Sequence, residues 1–346
     1  FSLIATSGAV WVALSRDVWS LHVGRFVFGW GAESLIVAQN AILARWFKGR
    51  ELGFAFGFGL MISRLGTLLS FNTEAMLAER FGVMPALWIA AGFCGFSLLA
   101  NLVYARLDRH AERTLEQPWQ DGGQTASIGD ARHFGPSFWL VCLLGFTFYS
   151  GIFPFTALST DFFHDKWGLP LSAGERGGGF LADLLSNYRH MFSSAPGTTS
   201  IIIFASMVCA PFAGGLVDRF GRRASLMLIG ALLMIPSYLL MGFTHLTPAI
   251  PMVVLGLAFV LVPAAMWPSI PHLVDKRRIG TAFGMMNTLQ NVGLAIFPWV
   301  NGGLREASGG YAASMAMFAT LAVVGAVLAW MLLIQDRRNG RVLEGH

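Results

Sequence analysis

The chain has 346 residues, of which 55% are hydrophobic and only 12% are charged, and its formal net charge is +5. A soluble globular protein carries about 25% charged residues, so this composition excludes an ordinary soluble domain and indicates helices solvated by lipid. The basic residues stand in short clusters between apolar runs, which argues against a nucleic-acid-binding surface and is typical of membrane-protein loops. Cys94, Cys142 and Cys209 lie within apolar runs, so we expect free thiols and no disulfide framework.

Ten apolar runs recur along the chain, and nearly all could cross roughly 30 Å of hydrocarbon as helices. The predicted spans lie at 1–15, 20–43, 51–72, 84–105, 138–160, 199–217, 224–243, 249–270, 280–301 and 311–334. The first run is short, and the chain starts at Phe1 without a methionine, so we interpret the sequence as a fragment whose N-terminal part is missing. The pattern predicts an all-α membrane protein with ten visible transmembrane helices.

The predicted spans form two groups separated by a polar linker that is too charged to cross a membrane. The resulting domains are the remainder of an N-terminal helical half at 1–106, a cytosolic linker at 107–136, a C-terminal half of six helices at 137–335 and a cytosolic tail at 336–346.

A second polar stretch, at 171–197, interrupts the C-terminal half on its non-cytosolic side. Apolar residues between Phe180 and Phe192 recur at helical spacing, which predicts an amphipathic helix lying on the membrane surface. A wrongly predicted gene segment is the alternative interpretation of this insert.

Lysine and arginine are unevenly shared between the two sets of alternate loops. One set holds sixteen of these residues and the other set holds seven. Because basic residues concentrate in cytosolic loops, the richer set is predicted to be cytosolic. Both ends of the chain then face the cytosol, as an even number of spans requires.

The segment GGLVDRFGRR, at residues 214–223, matches the pattern G-x-x-x-D-R-x-G-R-R in a predicted cytosolic loop. This pattern is the loop signature of the major facilitator superfamily, which the chain resembles. The resemblance implies that the ten spans are family helices three to twelve, and that the loop gates conformational change without binding substrate. An ordinary positively charged turn is the alternative. The implied gating residues are Gly214, Asp218, Arg219, Gly221 and Arg222.

Longer segments are similar to one branch of this superfamily, the lysosomal dipeptide uniporters. They are GRFVFGWGAESLIVAQN at 24–40, RWFKGRELGFAFG at 45–57, ISRLG at 62–66, FPF at 153–155, AMWPS at 265–269 and GTAFGMMNTLQNVGLAI at 280–296. The resemblance implies uniport of dipeptides, including basic ones, out of the lysosome or vacuole by alternating access. Expected partners are the bilayer and a glycosylated single-span accessory subunit, with a homodimer as the alternative; no cofactor, metal or nucleic acid is expected.

Two charges lie near the middle of predicted spans, and the branch's carboxylate and arginine map onto them as Glu33 and Arg64. Ten residues separate Glu33 from the cytosolic end of its span, ~15 Å, and Arg64 lies ~20 Å above the start of the next span. An ionised side chain at that depth costs several kcal/mol unless it is paired or hydrated. We hypothesise that a dipeptide bridges the two, with its ammonium on Glu33 and its carboxylate on Arg64. A structural ion pair is the alternative.

Further candidates for the substrate site are Asn40, Tyr149, Trp267, Asn287 and Gln290. The two amides on the span at 280–301 share one polar face, for which hydrogen bonding to a neighbouring helix is the alternative. The two aromatic residues would floor the cavity or simply pack, and Asn40 would orient Glu33 or cap contacts between helices.

The sequence contains no H-E-x-x-H, G-x-S-x-G or P-loop motif, so an enzyme is not predicted. Two alternatives to dipeptide transport remain. One is transport of another small solute, an organic anion or a sugar, with proton coupling through Glu33. The other is a membrane scaffold or receptor that transports nothing.

Overall fold

A computed structural model of the chain describes residues 1–47, 51–114, 128–171 and 180–345. The described chain contains eleven α-helices, joined by loops and short 3-10 turns. The helices are α1 (Ser2–Leu14), α2 (Val18–Phe47), α3 (Leu52–Phe81), α4 (Val83–Thr114), α5 (Pro136–Trp167), α6 (Phe180–Arg189), α7 (Ala195–Phe220), α8 (Arg223–Phe243), α9 (Ala249–Leu273), α10 (Ile279–Ser308) and α11 (Ala312–Arg338).

Ten of these helices coincide with the ten predicted spans, and α6 is the amphipathic helix predicted in the insert. Among the described residues, eight helices are long and apolar enough to cross a membrane. The other two are α1, which has 13 residues, and α10, whose apolar stretch is interrupted by amides.

Several helices extend beyond the apolar runs from which they were predicted. For example, α3 continues to Phe81 and α4 to Thr114, whereas the predicted spans end at 72 and 105. A helix is held by hydrogen bonds between its own backbone groups, so it can continue as polar turns beyond the hydrocarbon layer. The segment predicted as a linker thus begins as part of α4. Residues 115–127 of that linker and residues 172–179 of the insert lie outside the described residues.

The chain divides into two compact units. The first unit comprises Phe1–Ile42 and Thr73–Gly129, and the second comprises Leu43–Asn72 and Asp130–His346.

In the first unit, α1 packs closely on α2 and α4. A side chain on Gly8 or Gly31 would collide with the backbone of Phe28 or Ala5, so these glycines allow the two helices to approach. The hydroxyl of Thr6 on α1 donates a hydrogen bond to the backbone of α4.

In the second unit, α8 packs between α9 and α11, and α5 contacts α7, α10 and α11. The fully buried Tyr238 on α8 packs its ring against Phe155 and Phe318, with centroid distances of 5.4 and 5.6 Å. Its hydroxyl donates a 3.0 Å hydrogen bond to the Gly151 carbonyl oxygen. The polar atom in this core is therefore satisfied.

The first half of α3 crosses α7 inside the second unit. A Cβ atom added to Gly57 would lie 2.5 Å from the Ala210 carbonyl oxygen, and one added to Gly53 would lie 2.8 Å from that of Gly214. The missing side chains allow the two backbones to touch. This crossing fixes the path of α3, which places Arg64 two turns beyond Gly57.

The N-terminus of α3 is capped by a side chain of α7. The Asp218 carboxylate accepts hydrogen bonds from the backbone N–H groups of Gly53 and Phe54, at 2.8 and 2.7 Å. The first N–H groups of a helix have no partner within the helix, and a negative charge is favourable there. The first turn of α3 is therefore anchored to the end of α7.

A charged cluster joins the C-terminal end of α5 to the last turn of α10 and to the residue before α11. Arg305 binds Asp161 with a nitrogen–oxygen distance of 2.6 Å, and the Tyr311 hydroxyl donates to Asp165 at 3.1 Å. Burial raises the pKa of that tyrosine well above its usual range, and the neighbouring Asp161 carboxylate raises it further. Tyr311 therefore stays a neutral hydrogen-bond donor.

Candidate functional site

Arg64 is a buried cation on α3, with only 7% of its surface exposed. The central carbon of its guanidinium lies 3.6 Å from the centre of the Phe259 ring on α9. Within the described part of the second unit, the guanidinium forms no salt bridge. Contact with an aromatic face stabilises a cation by about 0.5–2 kcal/mol, which is less than the several kcal/mol that burial of an ion costs. Inside this unit, the positive charge is not neutralised.

Tyr149 on α5 and Trp267 on α9 form a buried hydrogen-bonded pair beside this arginine. The indole N–H of Trp267 donates to the Tyr149 hydroxyl oxygen at 3.0 Å, and the two side chains are 6% and 4% exposed. The Tyr149 hydroxyl lies near the Arg64 guanidinium. Because the tyrosine oxygen accepts from the indole, its own hydrogen is available to donate elsewhere.

Two phenylalanine rings pack together beside Tyr149, and one of them contacts the guanidinium. The Phe153 ring stacks on Tyr149 at 5.7 Å and meets the edge of Phe259 at 5.6 Å, as measured between ring centroids. We call Tyr149, Phe153, Phe259 and Trp267 the aromatic cage. Phe259 contacts the guanidinium directly, Phe153 packs on Phe259 and Tyr149, and Trp267 is hydrogen-bonded to Tyr149.

Phe283 on α10 packs against the cage, and the two predicted amides follow it along the helix. The Phe283 ring packs on Trp267 with a centroid distance of 5.9 Å, and Asn287, 5% exposed, follows one helical turn later. In the part of the chain that the structure describes, the side-chain oxygen of Gln290 is buried without a hydrogen-bond partner. A buried acceptor of this kind can receive a ligand N–H.

The arrangement suits a carboxylate with a hydrogen-bonding body. The fork of Arg64 matches the geometry of a carboxylate in a bidentate pair. The Tyr149 hydroxyl supplies a neutral donor nearby. No residue in the cage is arranged as a nucleophile with a base, so the site suits binding and not covalent chemistry.

The structure brings three of the predicted substrate-binding residues together, namely Arg64, Tyr149 and Trp267. Glu33 and Asn40 lie half-buried on α2 in the first unit, and the pairing of Glu33 with Arg64 stays a prediction. The sequence analysis missed Phe259, because one phenylalanine in the apolar run of α9 carries no signal of its neighbours. Phe153 appeared there only within the FPF motif.

The predicted gating residues lie at and beyond the end of α7. Gly214 faces Gly53 at the helix crossing, and Asp218 caps α3. Gly221 ends α7 with a φ of 63°, and Arg222 follows with a φ of 39°. The guanidinium of Arg219 lies over the Phe220 ring. Their role in gating stays a prediction.

Comparison with known sequences gives a family and a set of relatives. Residues 1–182 and 178–345 match the model of the Major Facilitator Superfamily. The lysosomal dipeptide transporter MFSD1 of Danio rerio is 32% identical over 323 residues, which cover 89% of this chain and 65% of that protein. The Homo sapiens transporter of the same name is 31% identical over 322 residues, with the same coverage of 89% and 65%. The chain thus spans slightly less than two thirds of the length of these curated relatives.

Solved structures of the same architecture are similar in fold. The proton:xylose symporter XylE bound to 6-bromo-6-deoxy-D-glucose superposes with a TM-score of 0.67 at 17% identity, covering 95% of this chain and 77% of that one. The human organic anion transporter MFSD10 gives a TM-score of 0.64 at 16% identity, covering 95% and 75%. FucP in the outward conformation gives 0.63 at 13% identity, covering 96% and 81%.

At these identities the structural likeness shows the fold alone, whereas the family match extends over nearly the whole sequence. The resemblance to the lysosomal dipeptide transporter branch is confirmed by the sequence relatives. The chain belongs to the Major Facilitator Superfamily, a family of multi-pass membrane transporters and not of enzymes.

Proposed function

We propose that the protein carries dipeptides across the lysosomal or vacuolar membrane into the cytosol, as a uniporter that works by alternating access. Such a transporter exposes one site to the two sides of the membrane in turn and makes or breaks no covalent bond. The names of the relatives, lysosomal dipeptide transporters, support this substrate and this membrane.

The observation that carries the proposal is the charge of Arg64 inside the aromatic cage. Among the described residues of its own unit this buried guanidinium has no carboxylate partner, and the C-terminal carboxylate of a peptide would match it. The Tyr149 hydroxyl would donate a hydrogen bond to the peptide's backbone carbonyl, and the Gln290 side-chain oxygen would accept one from a peptide N–H. Glu33 on α2 would bind the terminal ammonium, since a zwitterion needs one partner of each sign.

Counterflow into proteoliposomes tests which end of the peptide each charge recognises. The substrates are a dipeptide, its C-terminal amide and its N-acetylated form, each offered to the unchanged protein, Arg64→Met and Glu33→Gln. A hydrogen bond to a charged group contributes about 1.5–3 kcal/mol, so we expect the amide to bind the unchanged protein about tenfold to hundredfold more weakly than the free dipeptide. Arg64→Met should bind both forms equally weakly.

The second part of the assay applies the same comparison to the amino end of the peptide. Acetylation should weaken binding to the unchanged protein but make little difference to Glu33→Gln. If Arg64→Met still discriminates against the amide, Arg64 does not bind the carboxylate and the proposal fails for that residue. Equal flux of all three compounds in the unchanged protein would reject dipeptides as the substrate class.

An aromatic organic anion is the second candidate, because the walls around Arg64 are themselves aromatic. Such a ligand would place its ring against the cage and its carboxylate on the guanidinium, and it would need no ammonium partner. In the same assay, uptake of an arylpropionate that is unaffected by Glu33→Gln would favour this substrate class.

A further inference from the structure

The residues after α11 turn back and lock onto the start of α8. The carboxylate of Asp336, which is 1% exposed, accepts hydrogen bonds from the backbone N–H groups of Leu343 and Glu344 at 2.9 and 3.0 Å. Leu343 is fully buried, and its carbonyl oxygen accepts from the N–H of Arg223 at 2.9 Å. This segment is therefore a folded part of the second unit.

The same turn places a carboxylate at the N-terminus of α8. Glu344 accepts hydrogen bonds from the backbone N–H and the hydroxyl of Ser225, at 2.7 and 2.9 Å. Both carboxylate oxygens of Glu344 are thereby engaged. The helix start gains the negative partner that its dipole favours.

A basic cavity of about 500 Å³ lies between this turn and the start of α8, lined by Arg222, Ser225, Arg337, Arg341 and Glu344. Its three arginines and one carboxylate leave two positive charges in excess. The volume lies within the roughly 300–1,000 Å³ of small-molecule sites. We call it the tail cavity.

The backbone holds two of these arginines in an uncommon conformation. Arg222 and Arg341 have φ angles of 39° and 60°, and they are two of three non-glycine residues with positive φ in the described chain. Such strain persists where the surrounding structure imposes it, and it recurs at ligand clamps. The surrounding fold thus sets the backbone at these two positions of the cavity wall.

We propose that the tail cavity binds a phosphate monoester carried on a small polar body, such as an inositol ring. Two excess positive charges match a phosphate dianion better than a single carboxylate, and guanidinium groups bind phosphate oxygens in bidentate pairs. The cavity lies where α8 begins and α11 ends, on the side that the arginine distribution predicts to be cytosolic. Either a free phosphate ester or a phosphoinositide headgroup of the adjacent leaflet supplies this chemistry.

Binding is tested by thermal unfolding of the purified protein with three probes. These are inorganic phosphate, soluble inositol trisphosphate, and nanodiscs containing phosphatidylinositol phosphate, with phosphatidylserine nanodiscs of equal charge as the reference. We expect the two inositol probes to raise Tm. The paired substitution Arg337→Gln and Arg341→Gln should weaken their binding by about tenfold or more.

Arg338→Gln is the matched control, because Arg338 is an exposed arginine of the same segment that lies outside the cavity wall. It removes one positive charge from the same surface and should leave binding unchanged. Stabilisation by the soluble probe identifies a free ester as a sufficient ligand, and stabilisation by the nanodisc alone identifies the lipid. No stabilisation by either inositol probe, or equal weakening by Arg338→Gln, would overturn the proposal, because a general basic surface would then explain the binding.

Discussion

We expect Arg64 to be unfavourable for folding and useful for binding a carboxylate. Its guanidinium is removed from water, yet among the described residues of its own unit it gains the face of Phe259 and no salt bridge. The cation–π contact contributes about 0.5–2 kcal/mol, which leaves most of the desolvation cost uncompensated. An incoming carboxylate would supply the missing partner, so ligand binding should stabilise the protein.

The uncompensated desolvation cost of Arg64 leads to a prediction about stability that does not depend on a transport assay. Arg64→Met keeps the length and apolar stem of the side chain but removes the buried charge. Replacing buried charges by apolar groups is often neutral or stabilising by about 1–4 kcal/mol, so thermal unfolding should show an unchanged or higher Tm. The same variant should lose the rise in Tm that a dipeptide causes in the unchanged protein.

Arg305→Met is the control for that experiment, because Arg305 is partly exposed and already paired with Asp161. It should keep the stabilisation by dipeptide. A clear fall in the Tm of Arg64→Met without ligand would mean that the arginine has a structural partner, and would contradict our reading of the site.

The hydrogen bond between Trp267 and Tyr149 predicts non-additive mutations. Tyr149→Phe leaves a buried indole N–H without an acceptor, which costs about 1–3 kcal/mol. Adding Trp267→Phe removes that unsatisfied donor, so the double variant should be more stable than the sum of the single losses by about 0.5–1.5 kcal/mol. The free energies of unfolding of the four proteins measure this coupling.

Tyr238→Phe supplies a matched comparison, since Tyr238 donates to a backbone carbonyl elsewhere in the same unit. Combined with Trp267→Phe, it should give additive losses. Additive losses for the Tyr149 pair as well would show that the indole and the hydroxyl do not depend on each other.

Among the helices, the crossing of α3 and α7 joins the motif that is predicted to gate transport to the helix that carries Arg64. The glycines at the crossing allow contact between backbones, and Asp218 caps the first turn of α3. Arg64 lies about ten residues along the same helix, ~15 Å from this cap. A change at the cap can therefore alter the motion of α3 without altering the ligand contacts.

Asp218→Asn tests this separation. Asparagine keeps an acceptor oxygen but loses the charge that favours the helix N-terminus, which is worth about 0.3–2 kcal/mol. We expect a lower transport rate and a slightly lower Tm, with an unchanged half-saturating dipeptide concentration. Asp275→Asn, a change at an exposed carboxylate before α10, should alter none of these values. A weaker affinity at unchanged rate would place Asp218 in binding and not in gating.

The sequence predicted the order of the helices well, because an apolar run long enough to span a bilayer seldom forms anything but a transmembrane helix. It also singled out Arg64, since one charge among apolar residues is conspicuous. It did not reveal the Phe259 contact or the Trp267–Tyr149 bond, because both depend on how α5 and α9 pack. Nor did it reveal that Leu343 is buried, since a leucine near a charged chain end resembles an exposed residue.

The two sides of the whole molecule were assigned from basic residues alone, and this assignment can be tested directly. After the native cysteines have been replaced by serine, Asn339→Cys and Ser308→Cys place one exposed thiol at each end of the C-terminal helices. A membrane-impermeant maleimide added to intact organelles that carry the protein should label Asn339→Cys from the cytosolic side. Ser308→Cys should react only after permeabilisation, and the reverse pattern would invert the predicted topology.

The folded turn after α11 has a practical consequence for anyone who fuses a reporter to this protein. Gly345 donates to the Arg341 carbonyl oxygen at 2.7 Å, and a Cβ atom at position 345 would lie 2.6 Å from that oxygen. A cloning-derived residue in place of this glycine should distort the turn and expose Leu343. Fluorescent or affinity tags should therefore follow an intact Gly345 through a flexible spacer.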